Sequence, residues 1–189
     1  MKPIKKMLFC FYLLVTIPNI VTAGTVIEAS VSHDNGVYSL TVEMQLQGNA
    51  DRIRELLIDF NKMGLYNVSV VRSTRLYSLG PQVVVGRIEI RDCIFFFCST
   101  LVQVQKIRLL PSGDLQVTIL PELSDYRMGN SLWHIVPQPD GSTRLRIEAV
   151  MAPKVWIPPL IGPSLVANLL KTRALSMMES LEKLSQSNS

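Results

Sequence analysis

The chain is 189 residues long, 48% hydrophobic and 18% charged, with a formal net charge of +4. Most of that excess sits at the N-terminus: residues 1–23 hold three of the 19 Lys and Arg and none of the 15 Asp and Glu, leaving 16 basic against 15 acidic residues. A near-neutral remainder lacks the concentrated basic face that nucleic acid requires, so no nucleic-acid partner is expected. What is left is one domain's worth of chain, without repeats or low-complexity linkers.

The opening reads as an export signal. Lys2, Lys5 and Lys6 precede a short apolar run, MLFCFYLLVTI, and then the small-residue site Val21-Thr22-Ala23 before Gly24. The run falls well below the ~20 residues that a membrane-spanning helix needs, and no later apolar stretch is longer. Cys10 lies inside the run and not after it, which argues against a lipid-anchored cysteine. The expectation is a signal peptide over 1–23 and a single soluble domain over 24–189, secreted across the inner membrane into the periplasm.

In the mature chain, Asp34-Asn35-Gly36 is a hairpin signal, and Tyr38, Leu40, Val42, Met44 and Leu46 recur at every second residue, as in a half-buried strand. Asn49 is placed to cap a helix whose apolar positions Ile53, Leu56, Leu57 and Phe60 follow the helical period, with Asp51 in its first turn and Gly64 at its end. Six strand-like segments follow, separated by turn chemistry such as Gly80-Pro81, Pro111-Ser112-Gly113-Asp114 and Pro139-Asp140-Gly141. Their alternation assigns faces. Gly86, Ile88 and Ile90 oppose Arg87, Glu89 and Arg91, and Leu145, Ile147, Ala149 and Met151 oppose Arg144, Arg146 and Glu148.

A Pro-rich corner, APKVWIPPLIGP, leads into a closing helix predicted over Ser164–Ser185. Its apolar stripe runs through Val166, Leu170, Ala174, Met177, Leu181 and Leu184, widened by Leu169 and Met178. Arg173 falls within that arc, so it either snorkels to the edge or meets a polar head group beneath the helix. One long helix after a run of antiparallel strands must cover the sheet's concave face, and the space between suits a hydrophobic ligand.

Cys93 and Cys98 stand in the string RDCIFFFCST. An even pair in an exported protein is most simply a disulfide; the spacing is not the redox C-x-x-C, and the segment lacks the four ligands of a zinc site. Phe95, Phe96 and Phe97 are unusual at a hairpin tip. They either fold onto the last helix or the cavity mouth, or touch a membrane or a partner transiently during ligand exchange.

No catalytic residues are nominated and no metal or cofactor is expected. His33 lies beside a turn, His134 lies in a strand, and neither has a sequence-level partner for nucleophilic or metal chemistry. His134 adjoins Trp133, so one of the two faces the ligand space. Met128, Met151, Met177 and Met178 are expected to face it too, since methionine adapts to irregular apolar shapes.

The order of strand, helical segment, six-stranded meander and long terminal helix resembles the helix-grip fold of the START/Bet v 1-like superfamily. The stretches carrying the resemblance are GNADRIRELLIDFNKMGLYNVSVVRSTRL and DYRMGNSLWHIVPQPDGSTRLRIEAVMAPKVWIPPLIGP. Within the superfamily the chain looks most like exported bacterial polyketide cyclase/dehydrase and coenzyme Q-binding-like proteins. The resemblance implies an α+β fold with a curved antiparallel sheet wrapped around the terminal helix and a cavity between them. It further implies binding or carriage of a lipid, quinone or polyketide-like molecule in the cell envelope. The alternatives are a cyclase- or dehydratase-like enzyme acting on such a ligand and an envelope protein-interaction module. Ligand-lining residues expected on this basis are Trp133, His134, Ala149, Met151, Trp156, Leu170, Arg173 and Met177, with Tyr126 as a further polar candidate.

Overall fold

The computed structural model describes residues 24–94, 97–155 and 162–186. Strands β1 (Thr25–Asp34) and β2 (Val37–Leu46) form the first hairpin. Its two loop residues, Asn35 and Gly36, both take positive φ, 48° and 79°, the conformation whose twist matches the flanking strands and which asparagine and glycine tolerate best. Helix α1 (Ala50–Ile58) starts where expected, with the Asn49 side chain accepting from the N–H groups of Asp51 and Arg52. It ends sooner than Gly64. The Asp59 side chain accepts from the N–H of Asn61 and opens a new 3₁₀ turn, Phe60–Lys62, which passes into the one-turn helix α2 (Met63–Tyr66) that contains Gly64.

The remaining strands are β3 (Val70–Ser78), β4 (Val83–Ile94), β5 (Phe97–Leu109), β6 (Leu115–Ile119), β7 (Tyr126–Pro137) and β8 (Thr143–Pro153), followed by helix α3 (Gly162–Gln186). All eight strands form one sheet in the order β1-β2-β8-β7-β6-β5-β4-β3. Each neighbouring pair is antiparallel. The pairing of β2 with β8 joins the first hairpin to the last strand, so the N-terminal part of the chain is held by its C-terminal part.

The core lies on the concave face. Leu40, Val42 and Met44 sit opposite Ala149, Ile147 and Leu145 across the β2–β8 ladder, and all six are buried. The opposite face is charged: the Arg146 guanidinium pairs with Glu28, Glu43 and Glu148, each at 2.8 Å, and so ties β1, β2 and β8 together. Phe60 lies against β4 where only a glycine fits, because a Cβ on Gly86 would stand 2.3 Å from its ring. Helix α3 packs on β1, β2, α1 and α2. Its later turns are the packed ones, with Ala174, Met178, Leu181, Glu182 and Ser185 buried.

Candidate functional site: the concave face beneath the terminal helix

Strand alternation and cross-strand register decide which side chains look towards α3. On β4 they are Gly86, Ile88, Ile90 and Asp92; on β5 Leu101, Gln103, Gln105 and Ile107; on β7 Gly129, Ser131, Trp133 and Ile135. The face divides into two regions. Near β2, α1 and the later turns of α3 it is filled and buried. Away from there, Ile90, Leu101, Ser131, Trp133 and Met151 on the inward face of the sheet are only partly buried, as are Leu165, Val166, Leu169, Leu170 and Met177 on α3. Ile90, Trp133, Met151 and Met177 pack against the edge of the core, so this apolar region borders the core and stays partly accessible.

One charged group stands within this lining. Arg173 Nε donates to Asp92 Oδ1 at 2.8 Å, and the Ser69 hydroxyl donates to the same oxygen, also at 2.8 Å. The side chains retain 37% and 20% of their exposure, so the pair is half-buried and within reach of an incoming ligand. Nearby, Tyr126 is buried, and its hydroxyl pKa is pushed up to about 12 by that burial and by the negative charges of Asp92 and Asp125. Tyr126 therefore stays protonated at neutral pH, with an O–H available to donate. Further along the sheet, Gln103 Nε2 donates to Gln105 Oε1, and Trp133 Nε1 donates to Ser131 Oγ at 2.8 Å. These side chains are thus bonded to one another, whereas the buried Tyr38 and Tyr66 hydroxyls make no hydrogen bond among the described residues.

No protein-family profile matches the chain, and no curated protein matches it in sequence. Solved structures do. The Zhui aromatase/cyclase from Streptomyces sp. R1128 superposes with a TM-score of 0.67 at 11% identity, over 79% of this chain and 94% of that one. A STAR-related lipid transfer protein from Xanthomonas axonopodis gives 0.62 at 14% identity, covering 81% and 98%. A START superfamily protein from Mycobacterium smegmatis gives 0.60 at 18% identity, covering 78% and 98%. The chain has the START/Bet v 1-like helix-grip fold. At these identities the likeness is one of fold, and function has to be argued from the site itself.

Of the residues expected to line the helix-grip interior, Trp133, Ala149 and Met151 share the inward face of β7 and β8, where Ala149 is buried in the core and Trp133 and Met151 pack against it; on α3, Arg173 reaches Asp92, Met177 packs against the core and Leu170 is partly buried. His134 does not lie there. It follows Trp133 on the same strand and so points to the opposite face, where its Nδ1 lies 3.1 Å from Asp114 Oδ2. Met128 is also displaced: the β7–β8 register shifts between Tyr126 and Met128, which turns Gly129 inward and leaves Met128 37% exposed. Trp156, Phe95 and Phe96 lie outside the described residues, and β5 begins at Phe97. Cys93 and Cys98 face each other in the β4–β5 ladder and are bridged, closing the hairpin immediately beyond Asp92.

Sequence reasoning missed Asp92, Ser69, Gln103, Gln105 and Ser131. The signal for Asp92 was present, since the inward series Gly86, Ile88, Ile90 reaches it at the next step of two. Among the described residues, no group of three or more His, Cys, Asp and Glu is placed to hold a metal, and no helix is long and apolar enough to cross a membrane.

Proposed function

We propose that this protein binds and carries a hydrophobic small molecule with a polar end, as an exported protein of the bacterial envelope. The observation carrying this reading is the group of partly buried apolar side chains on the inward face of β4, β5, β7 and β8 and on α3, with the Arg173–Asp92 pair among the same elements. Two structural neighbours are named as a lipid transfer protein and an aromatase/cyclase, both consistent with a hydrophobic ligand in this fold. The polar groups favour carriage over turnover because they are already bonded to one another. Asp92 balances Arg173, so the site suits a neutral hydrogen-bonding end, a hydroxyl or ketone, better than a carboxylate or phosphate.

A second reading has one observation behind it. Tyr126, buried near Asp92 and kept protonated, can donate a hydrogen bond that polarises a ligand carbonyl, as a cyclase or dehydratase would need, while its raised pKa opposes outright proton transfer. Titrating a fluorescent fatty alcohol into wild-type protein and Met151→Trp tests the carrier reading. Saturable binding that the added indole abolishes supports it, and equal uptake by both proteins removes the site from consideration. Consumption of a bound ligand that stops in Tyr126→Phe shifts the assignment to an enzyme.

A further inference from the structure

Glu182 is the least expected acidic residue in the fold. It lies near the end of α3 and is buried, retaining 6% of its exposure, whereas its neighbours Glu179 and Lys183 face solvent. Buried carboxylates are ordinarily matched by a cation. Among the described residues, none of the ion pairs includes Glu182. Its two oxygens are instead taken by backbone: Oε2 accepts from the N–H of Gly24 at 3.0 Å, and Oε1 from the N–H of Gln47 at 2.7 Å.

Gly24 is the residue that follows the small-residue cleavage site of the N-terminal signal. It is enclosed by acceptors. A Cβ built there would lie 2.9 Å from the Gln45 carbonyl oxygen and 3.0 and 3.1 Å from the two Glu182 oxygens, so this position admits glycine and little else. Hydrolysis of the Ala23–Gly24 bond by an envelope signal peptidase changes what occupies it. Water gives its hydroxyl to the Ala23 carbonyl carbon, the C–N bond breaks, and the Gly24 nitrogen leaves as an amine. With an ordinary α-amino pKa near 8, that amine takes up a proton and is mostly ammonium at neutral pH.

We propose that Glu182 is a built receptor for the mature protein's own α-ammonium. Removal of the leader turns a neutral amide–carboxylate hydrogen bond into a buried ion pair that supplies the cation Glu182 lacks. The pair fastens β1, an edge strand of the sheet, to α3, while the Gln47 contact holds the end of β2 to the same carboxylate. The fold reaches full stability only after the signal is gone, which suits a chain that must remain unfolded while it crosses a membrane. The inference depends on cleavage before Gly24 and is independent of the ligand reading.

The test uses disulfide-intact mature protein released from a removable fusion. One chain starts at Gly24 and one starts at Thr22, each with and without Glu182→Gln. We expect the Gly24 chain to melt about 5 °C above the Thr22 chain, and Glu182→Gln to close that gap. Identical melting of the two Glu182 chains, or a gap that persists in Glu182→Gln, overturns the proposal. If Glu182→Gln does not fold, acylation of the Gly24 amine at neutral pH decides. The proposal requires at least tenfold slower labelling in the folded chain than in urea, and equal rates overturn it.

Discussion

Replacing Asp92 by Asn leaves the shape of the lining unchanged and removes the one negative charge that balances Arg173. Because the two side chains keep 37% and 20% of their exposure, solvent screens the pair and its contribution is about 1 kcal/mol, not the several expected of a fully buried pair. In a domain of this size that lowers the melting temperature by ~2–4 °C. A double-mutant cycle with Arg173→Leu should return a coupling of the same ~1 kcal/mol. The effect on ligand choice should be larger: an uncompensated Arg173 gains a charge-assisted hydrogen bond to an anionic head, worth about 1.5–3 kcal/mol, or roughly 10–100-fold in affinity. The assay compares fluorescent fatty alcohol and fatty acid probes of equal chain length on wild type and Asp92→Asn. Wild type should prefer the alcohol and the variant the acid. Unchanged preference, together with a coupling near zero, would refute the argument that this pair faces the ligand.

Met151→Trp should reduce probe binding with little loss of stability, whereas Ala149→Phe, in the packed region, should cost about 1–3 kcal/mol and appear in thermal melts. Reduction of the exposed Cys93–Cys98 bridge should release two alkylatable thiols and cost about 2 kcal/mol, or ~4–8 °C in melting temperature. The Asp114 carboxyl is subject to burial, which raises its pKa. This is outweighed by hydrogen bonds from the Ile135 N–H, Ser112 and His134, with a smaller contribution from the His134 charge, so it ends below its usual range. Its folded pKa is depressed, so its stabilisation is complete above the unfolded value of about 3.9 and is lost as the pH falls through the folded one. Asp114→Asn should flatten that part of the acid-unfolding curve, and His134→Ala, on the outer face, should leave probe binding unchanged.

Local chemistry was legible in the sequence wherever it was also decisive in the fold. Asn35-Gly36 read as a tight turn, Asn49 as a helix cap, and the two-residue periods of β2 and β8 placed one face inward before any partner strand was known. Arg173 stood out for the same reason, as a charge inside an apolar stripe. The misses have a common cause in information that lies across the chain. The bulge between Tyr126 and Met128 is a property of the β7–β8 ladder, and it reversed the expected side of Met128. Trp133 and His134 alternate, but only the pairing of Trp133 with Ile147 says which of them is inside. The strand period could place Asp92 inward, but its pairing with Arg173, 81 residues away, and that of Glu182 with Gly24, 158 residues away, span separations that no local pattern reports.

The carrier reading is tested most directly by native mass spectrometry of protein purified under mild conditions from its own cells, with extraction and identification of whatever accompanies it. The account predicts one hydrophobic molecule per chain, ending in a neutral hydroxyl or carbonyl group and absent from Met151→Trp. Bare protein that takes up no added lipid, quinone or fatty alcohol, or the same molecule retained by Met151→Trp, would contradict it.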